Sequence, residues 1–291
     1  MLAPRSIARF LYAFLLLAPP AAAAQGSARS QDIGRTTERE LNVVLTATGT
    51  LIFRKGESEK TFAVIPRNDE SAALTAVDYA IRNRVGYADM TLGERPARGG
   101  ESEGSFSLES LNHAAWELRF SDAIPISFDV ELKVGRGDIN LSGLQVKDFR
   151  LSAGAGDVTL AFDSPNDVRI DNLTIESGVG KFHGRSLGNA MFKRFDFKGG
   201  AGVYTLDFSG SLPAQVDVEI EVGLGVATIL IPREVGARVS YERSWVSRID
   251  CDEDFSSSGE NQYSSDNYTS ASSLMNIRVS AGLGNIRVRR P

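Results

Sequence analysis

The chain of 291 residues contains one cysteine and two histidines. That poverty excludes a disulfide framework and a Cys/His zinc cluster within a single chain. A formal net charge of -5 provides no global basic field, so no nucleic-acid partner is expected. Hydrophobic residues at 42% and charged residues at 24% exclude wholesale disorder and leave room for a sizeable core. Beyond the first 24 residues there is no apolar run near the roughly 20 residues a spanning helix needs.

Those first residues read as an export address. Arg5 and Arg9 precede the short apolar run Phe10 to Ala18, and Ala22-Ala23-Ala24 precede Gln25. This is the layout of a cleaved secretory signal peptide over residues 1–24; an uncleaved anchor is the alternative. Cleavage removes two of the 32 basic residues and none of the 37 acids, leaving a net charge of -7. A periplasmic or extracellular location follows as an expectation. There Cys251 is either a buried thiol or one half of an intermolecular bridge.

What the chain has in place of chemical motifs is repetition. A Gly-x-Gly element recurs with its glycines at Gly135/Gly137, Gly154/Gly156, Gly178/Gly180, Gly200/Gly202, Gly223/Gly225 and Gly282/Gly284. Five and three residues before each first glycine stand apolar pairs: Val130/Leu132, Phe149/Leu151, Leu173/Ile175, Phe195/Phe197, Val218/Ile220 and Ile277/Val279. Two and four residues after each second glycine the pattern resumes, as in Val158/Leu160, Tyr204/Leu206 and Ile139/Leu141. Only Gly184 departs from the apolar rule. A spacing of two places these side chains on one face of a strand, so each unit reads as strand, glycine corner, strand. One such coil cannot bury its apolar face alone, whereas stacked coils can.

We therefore expect an all-β, single-stranded β-helix (a β-solenoid) of about eight or nine coils, each about 22 residues long, with a sandwich of β-hairpins as the structural alternative. All twelve glycines of the six elements are expected at corners. Weaker copies are read around Gly49 (Val44 before, Leu51/Phe53 after), around Gly86 (Tyr79/Ile81 before, Ala88/Met90 after) and from Phe106 to Phe120. The expected organisation is a signal peptide over 1–24, a flexible lead-in over 25–40, and a solenoid domain over 41–291. An acidic, serine-rich insertion at 250–273 interrupts the solenoid.

The runs Val134-Gly135-Arg136-Gly137-Asp138-Ile139 and Ala153-Gly154-Ala155-Gly156-Asp157-Val158, with Val222 to Pro232, carry a resemblance. They are similar to the carboxyl-terminal domain of LiaF-like cell-envelope stress proteins and to the related toast-rack and adhesin-like β-helix families. The resemblance implies a non-catalytic envelope module with no catalytic residues to carry over. LiaF-like proteins are membrane-anchored partners of a sensor kinase; here an export signal stands where they have transmembrane helices.

Chemical readings are correspondingly thin, and no catalytic, cofactor or metal site is expected. Neither His113 nor His183 lies near a Gly-x-Ser-x-Gly nucleophile signature. Asp138 and Asp157 take equivalent places after their corners, so they could stack as paired outward carboxylates of a polysaccharide-cleaving β-helix. Capping of backbone amides is the plainer role for them. In the insertion, Asp250, Asp252, Glu253 and Asp254 precede Phe255 and form a candidate contact loop; without EF-hand spacing, calcium binding is not expected. Asn172-Leu173-Thr174 and Asn267-Tyr268-Thr269 match glycosylation sequons, relevant only in a eukaryotic secretory host. The ending Asn285 to Pro291 is read as a last coil whose arginines and proline blunt a free edge. The expected function is an exported envelope scaffold or recognition module. Its partners would be envelope proteins or cell-wall polymers, with coil-on-coil stacking as a route to oligomers. A polysaccharide-active enzyme is the alternative.

Overall fold

The computed structural model describes residues 30–94, 114–242 and 247–291. The signal peptide, His113 and the Phe106 end of the weak coil lie outside the described residues. The first strands are β1 (Gln31–Gly34), β2 (Glu40–Lys55) and β3 (Lys60–Pro66). After the short helix α1 (Asp69–Ala73) come β4 (Thr75–Arg82), β5 (Val85–Leu92) and β6 (Ala115–Phe120). Then five long strands follow: β7 (Pro125–Asn140), β8 (Gln145–Ala161), β9 (Ile170–Arg185), β10 (Phe192–Asp207) and β11 (Gln215–Leu230). The chain ends with β12 (Gly236–Glu242), β13 (Ser247–Cys251), β14 (Phe255–Gly259), β15 (Gln262–Ser265) and β16 (Leu274–Arg289).

Strand direction settles the architecture. β7 to β11 pair in sequence order, each parallel to the next, which hairpins cannot do. Each long strand bends at its glycines into two arms, and the inward parity changes across the corner so that alternate side chains of both arms face the core. Phe149, Leu151, Val158 and Leu160 of β8 are buried, as are Phe195, Phe197, Tyr204 and Leu206 of β10. The connecting segments close the third side of the core with Leu141, Phe162, Leu187, Phe208 and Ile231, all at most 1% exposed. The result is one open all-β sheet folded around a continuous core.

The corner requires glycine for a specific reason. Gly49, Gly135, Gly156, Gly180, Gly202, Gly225 and Gly284 form one column across the ladder. All of them but Gly202 have φ between +127° and +151°. A Cβ on Gly180 would overlap the carbonyl oxygen of Gly156 in the coil beneath, and the same holds up the column. The first glycines of the later elements form a second, parallel column. There a Cβ on Gly178 would strike the carbonyl oxygen of Gly154, one on Gly200 that of Gly178, one on Gly223 that of Gly200, and one on Gly282 that of Gly223. The exception within the apolar pattern also has a cause. A Cβ on Gly184 would meet Leu187 Cδ1 at 2.7 Å, so the leucine of the following 3-10 turn fills the volume a larger strand residue would occupy.

Five sequence expectations need correction. First, Gly135 pairs with Gly156, not Gly154, so the first copy is displaced by two residues and Lys133 takes the place of a corner glycine. Gly137 is therefore no corner; it lies in the second arm, opposite Leu51 and Val158. The shift is even, so inward parity survives. Second, Gly202 is not equivalent to the other second glycines. It stands in their column, between Gly180 and Gly225, but is not among the positive-φ residues, so its backbone demands no glycine. Space alone excludes a side chain there: a Cβ would overlap the Gly180 carbonyl oxygen and meet the Tyr204 hydroxyl at 2.9 Å.

Third, Gly86 is no corner: β4 and β5 form an antiparallel hairpin across Asn83 and Arg84, both at positive φ, the geometry of a two-residue turn. In the Gly49 copy, Leu51 and Phe53 are buried as read, but Val44 is exposed and its neighbours Val43 and Leu45 face inward. Fourth, the lead-in is ordered from Gln31, where β1 pairs with β3.

The fifth correction concerns order in space. β2 sits between β7 and a layer divided into β5 and β6, although both halves follow it in sequence. At the other end β16 sits between β11 and a layer divided into β12 and β13. The carboxyl-terminal strand is therefore interior and blunts no edge. The edges carry antiparallel strands instead: β4 on β5, β3 on β6 and β15 on β12. Such covers occupy the edges that coil-on-coil stacking would use, and only β13 lacks one among the described residues.

Candidate functional site

The side chains that reach solvent do so in straight rows, because each register position repeats at the strand spacing of about 4.8 Å. On the first arm one outward row runs Arg194, Asp217, Asn276, Arg238 and the next runs Asp196, Glu219, Arg278, Ser240, across β10, β11, β16 and β12. These residues line a polar groove of about 260 Å³. Tyr268 borders it: Arg238 stacks on the Tyr268 ring at 4.1 Å, and the Tyr268 hydroxyl donates to Asn276 Oδ1 at 2.9 Å. Asn276 Nδ2 in turn donates to Asp217 Oδ1 at 3.3 Å. Asp196 and Glu219 are direct ladder partners. Burial, aided by Glu219 and Glu221 and opposed by Arg194 and Lys198, holds the Asp196 carboxyl above its usual range. Asp196 and Glu219 thus have the adjacent-strand pairing that the sequence offered, as the alternative to amide capping, for Asp138 and Asp157.

Asp138 and Asp157 do not stack. The two-residue displacement sets Asp138 opposite Ile52 and Thr159, and Asp157 opposite Arg136 and Lys181. Asp138 is instead ion-paired with Arg54. His183 faces outward between Thr159 and Thr205.

The segment 250–273 is built into the sheet. Asp250 and Cys251 end β13, and β14 and β15 form a hairpin with Asn261 at φ +54° in its turn. The acids face arginines: Asp250 lies 2.5 Å and Asp252 lies 3.6 Å from Arg289, while Asp254 lies 2.9 Å from Arg233. Arg290 is buried on Phe255, donating to the carbonyl oxygens of Val235 and Arg233 and to Asn267 Oδ1. Phe255 faces inward at 9% exposure, and of the five candidate contact residues Asp250 and Glu253 are the exposed ones, Asp250 being held by Arg289. Among the described residues no group of three His, Cys, Asp or Glu side chains converges as a metal site would.

Cys251, the chain's single cysteine, is half-buried. Burial first, then Asp250, push its thiol up to about 11 against partial relief from Arg289. At pH 8 its thiolate fraction falls about 100-fold below that of an ordinary cysteine. Alkylation of the folded chain at that pH is expected to be slower than in denaturant by about that factor, followed by mass spectrometry; equal rates would contradict the burial.

A second surface escaped the sequence reading. The middle residue of each corner points outward, giving a column of Val134, Ala155, Val179, Ala201, Leu224 and Leu283. With Val203 beside it, this ridge holds five of the seven exposed large apolar side chains among the described residues, at 46% to 60% exposure. The signal was present: the residue between the glycines is apolar in five of the six copies, arginine standing there in the first.

Parallel bent strands, a glycine column and outward rows define a class of stacked, all-β module. The chain belongs to the toast-rack family, since the family model described as "N-terminal domain of toast_rack, DUF2154" matches residues 23–184. The ladder continues past that segment through β10, β11 and β16 in the same corner register. The chain is similar to a crystal structure of a candidate cell adhesion protein from Clostridium sporogenes at 20% identity and a TM-score of 0.44, covering 90% of this chain and 98% of that one. It is also similar to a candidate adhesin from Bacteroides fragilis at 10% identity and a TM-score of 0.34, covering 90% and 96%. No curated protein matches. Among the described residues no helix is long and apolar enough to cross a membrane.

Proposed function

We propose that this chain is an exported, non-enzymatic scaffold or recognition module of the cell envelope, cleaved after residue 24 and displayed in the periplasm or outside the cell. Its partners are envelope proteins or cell-wall polymers. The observation that carries the reading is the first-arm surface. Arg194, Asp217, Arg238 and Arg278 project from rigid neighbouring strands in fixed rows, which suits recognition of an extended polar partner without a closed pocket. The Glu253 end of the acidic run adds a second point of contact. A place in envelope stress signalling accords with the LiaF-like resemblance.

The test is retention of the mature chain on purified cell-wall polymer and on an immobilised envelope extract, compared with Arg238→Glu/Arg278→Glu. Wild-type retention that falls at least tenfold in the variant supports the reading. Retention by neither matrix, or equal retention of both chains, overturns it.

One observation favours a second reading, a polysaccharide-active enzyme. Asp196 and Glu219 share a groove as ladder partners on adjacent strands, whose spacing of about 4.8 Å is comparable with the roughly 5 Å between the carboxyl groups of retaining glycosidases, and burial raises the Asp196 carboxyl above its usual range. Release of soluble sugar from wall polymer by the wild type, lost in Asp196→Asn and Glu219→Gln, would establish it in place of the first.

A further inference from the structure

The corner ridge is an apolar strip on a chain whose other outward rows are mostly polar, and its residue order contains a pattern. Along the stack it reads Val134, Ala155, Val179, Ala201, Leu224, Leu283, one residue per coil from β7 to β16. Five strand spacings make it about 24 Å long. We propose that its occupant is a second copy of this chain, laid antiparallel across the ridge about a two-fold axis between the β9 and β10 coils.

Shape selects this arrangement. The two-fold sets Val134 against the partner copy's leucine at 283, Ala155 against its leucine at 224, and Val179 against its alanine at 201, with each contact repeated by symmetry. Every alanine then receives a larger side chain. A parallel pairing would set alanine on alanine at two coils and leucine on leucine at two others, leaving gaps beside crowding.

Charge agrees. Directly beside the ridge on the first arm runs the column of first glycines, in which Lys133, ion-paired with Glu94, faces glycine 282 of the other copy; the next outward row is Glu131, Ser152, Glu176, Lys198, Glu221, Ser280. The same axis brings Glu176 to lysine 198 of the other copy, twice, and pairs each remaining acid with a serine. No like charges meet. Within one chain Lys198 approaches Glu221 only to 3.9 Å, so it is available to turn outward.

Area sets the strength. A strip of about 24 Å by about 12 Å buries about 300 Å² per copy, well below the roughly 800 Å² per partner of a standard stable interface. The association is therefore weak and concentration-dependent. It takes effect where copies crowd on one surface, doubling the number of first-arm faces offered to a polymeric partner.

Sedimentation of the mature chain from micromolar to millimolar concentration should show a reversible monomer–dimer equilibrium. Leu224→Lys should weaken it at least tenfold without lowering the melting temperature, because that side chain is half exposed. Orientation is read by cross-linking in a Cys251→Ser background. Mixed Ala155→Cys and Leu224→Cys chains should form a disulfide-linked pair on air oxidation, whereas Ala155→Cys alone should not, its two copies lying about 14 Å apart. A strictly monomeric chain, dimers indifferent to Leu224→Lys, or self-cross-linking of Ala155→Cys would each overturn the proposal. So would a different protein bound to the ridge of a chain that stays monomeric. None of these readouts depends on capture of an envelope partner.

Discussion

Gly180→Ala is expected to lower the melting temperature by about 4–24 °C. Two costs combine at this position. At φ +137° an L-residue sits in a region populated almost only by glycine, worth about 1–3 kcal/mol of strain. The added methyl also overlaps the Gly156 carbonyl oxygen, a backbone atom that cannot swing aside without opening the ladder, worth about 1–3 kcal/mol more. A chain of this size loses about 2–4 °C per kcal/mol. Gly34→Ala is the control, since nothing lies within 4 Å of a Cβ there, and it should shift stability by no more than about 0.5 kcal/mol. Calorimetry of both variants decides the matter. Because β9 touches only β8 and β10 in the ladder, the damage should begin locally, and a broadened transition is expected in place of a uniform shift. A Gly180→Ala protein as stable as the control would mean that the corner column does not hold the coils at this separation.

The sequence makes the wall of each coil readable and leaves the order of coils obscure. Alternation around Phe149, Leu151, Val158 and Leu160 announces which side chains face inward, because burial on one face of a strand imposes a period of two. The same period hides the displacement at Gly135. A slip of two residues keeps every inward position inward, so apolar pattern alone cannot detect it. That slip is why Asp138 and Asp157 looked like a pair. Asp196 and Glu219, each four residues before a first corner glycine, pair in the register the sequence already showed, and went unread because the sequence reading turned on the residues after the corners. Backbone conformation is equally silent: Gly202 and Gly180 are written alike, yet only Gly180 takes a positive φ. Spatial order is hidden for a different reason. A coil such as β2 presents the same apolar rows to either neighbour, and nothing in those rows states that β5 and β6 will lie on its far side. The acidic run misled through composition. Serines and carboxylates at 250–258 suggest a solvated loop, yet three arginines from positions 233, 289 and 290 pair with Asp250, Asp252 and Asp254 and let the segment join the sheet.

A chain ending at Ser273 is expected to lose far more than the strand removed. In a solenoid stacked in sequence order, deleting the last coil trims an end. Here β16 lies inside the sheet, with β11 on one side and β12 and β13 on the other. β13 has no other ladder partner among the described residues, and β12 would keep only the short β15. Six apolar side chains of β16, from Met275 to Val288, are at most 5% exposed, and their removal forfeits about 10 kcal/mol of burial. Arg290 goes too, taking the hydrogen bonds that hold the carbonyl oxygens of Val235 and Arg233. Residues 233–273 should then be cleaved readily by protease and exchange their amide hydrogens without protection. The core from β2 to β11 should persist as a fragment ending near Pro232, since each coil rests mainly on its neighbours. Limited proteolysis with mass spectrometry of the fragments reads both outcomes at once. Protection of 233–273 in the truncated chain would mean that β12 docks directly on β11, and that the carboxyl-terminal strand is an addition to the stack and not its final wedge.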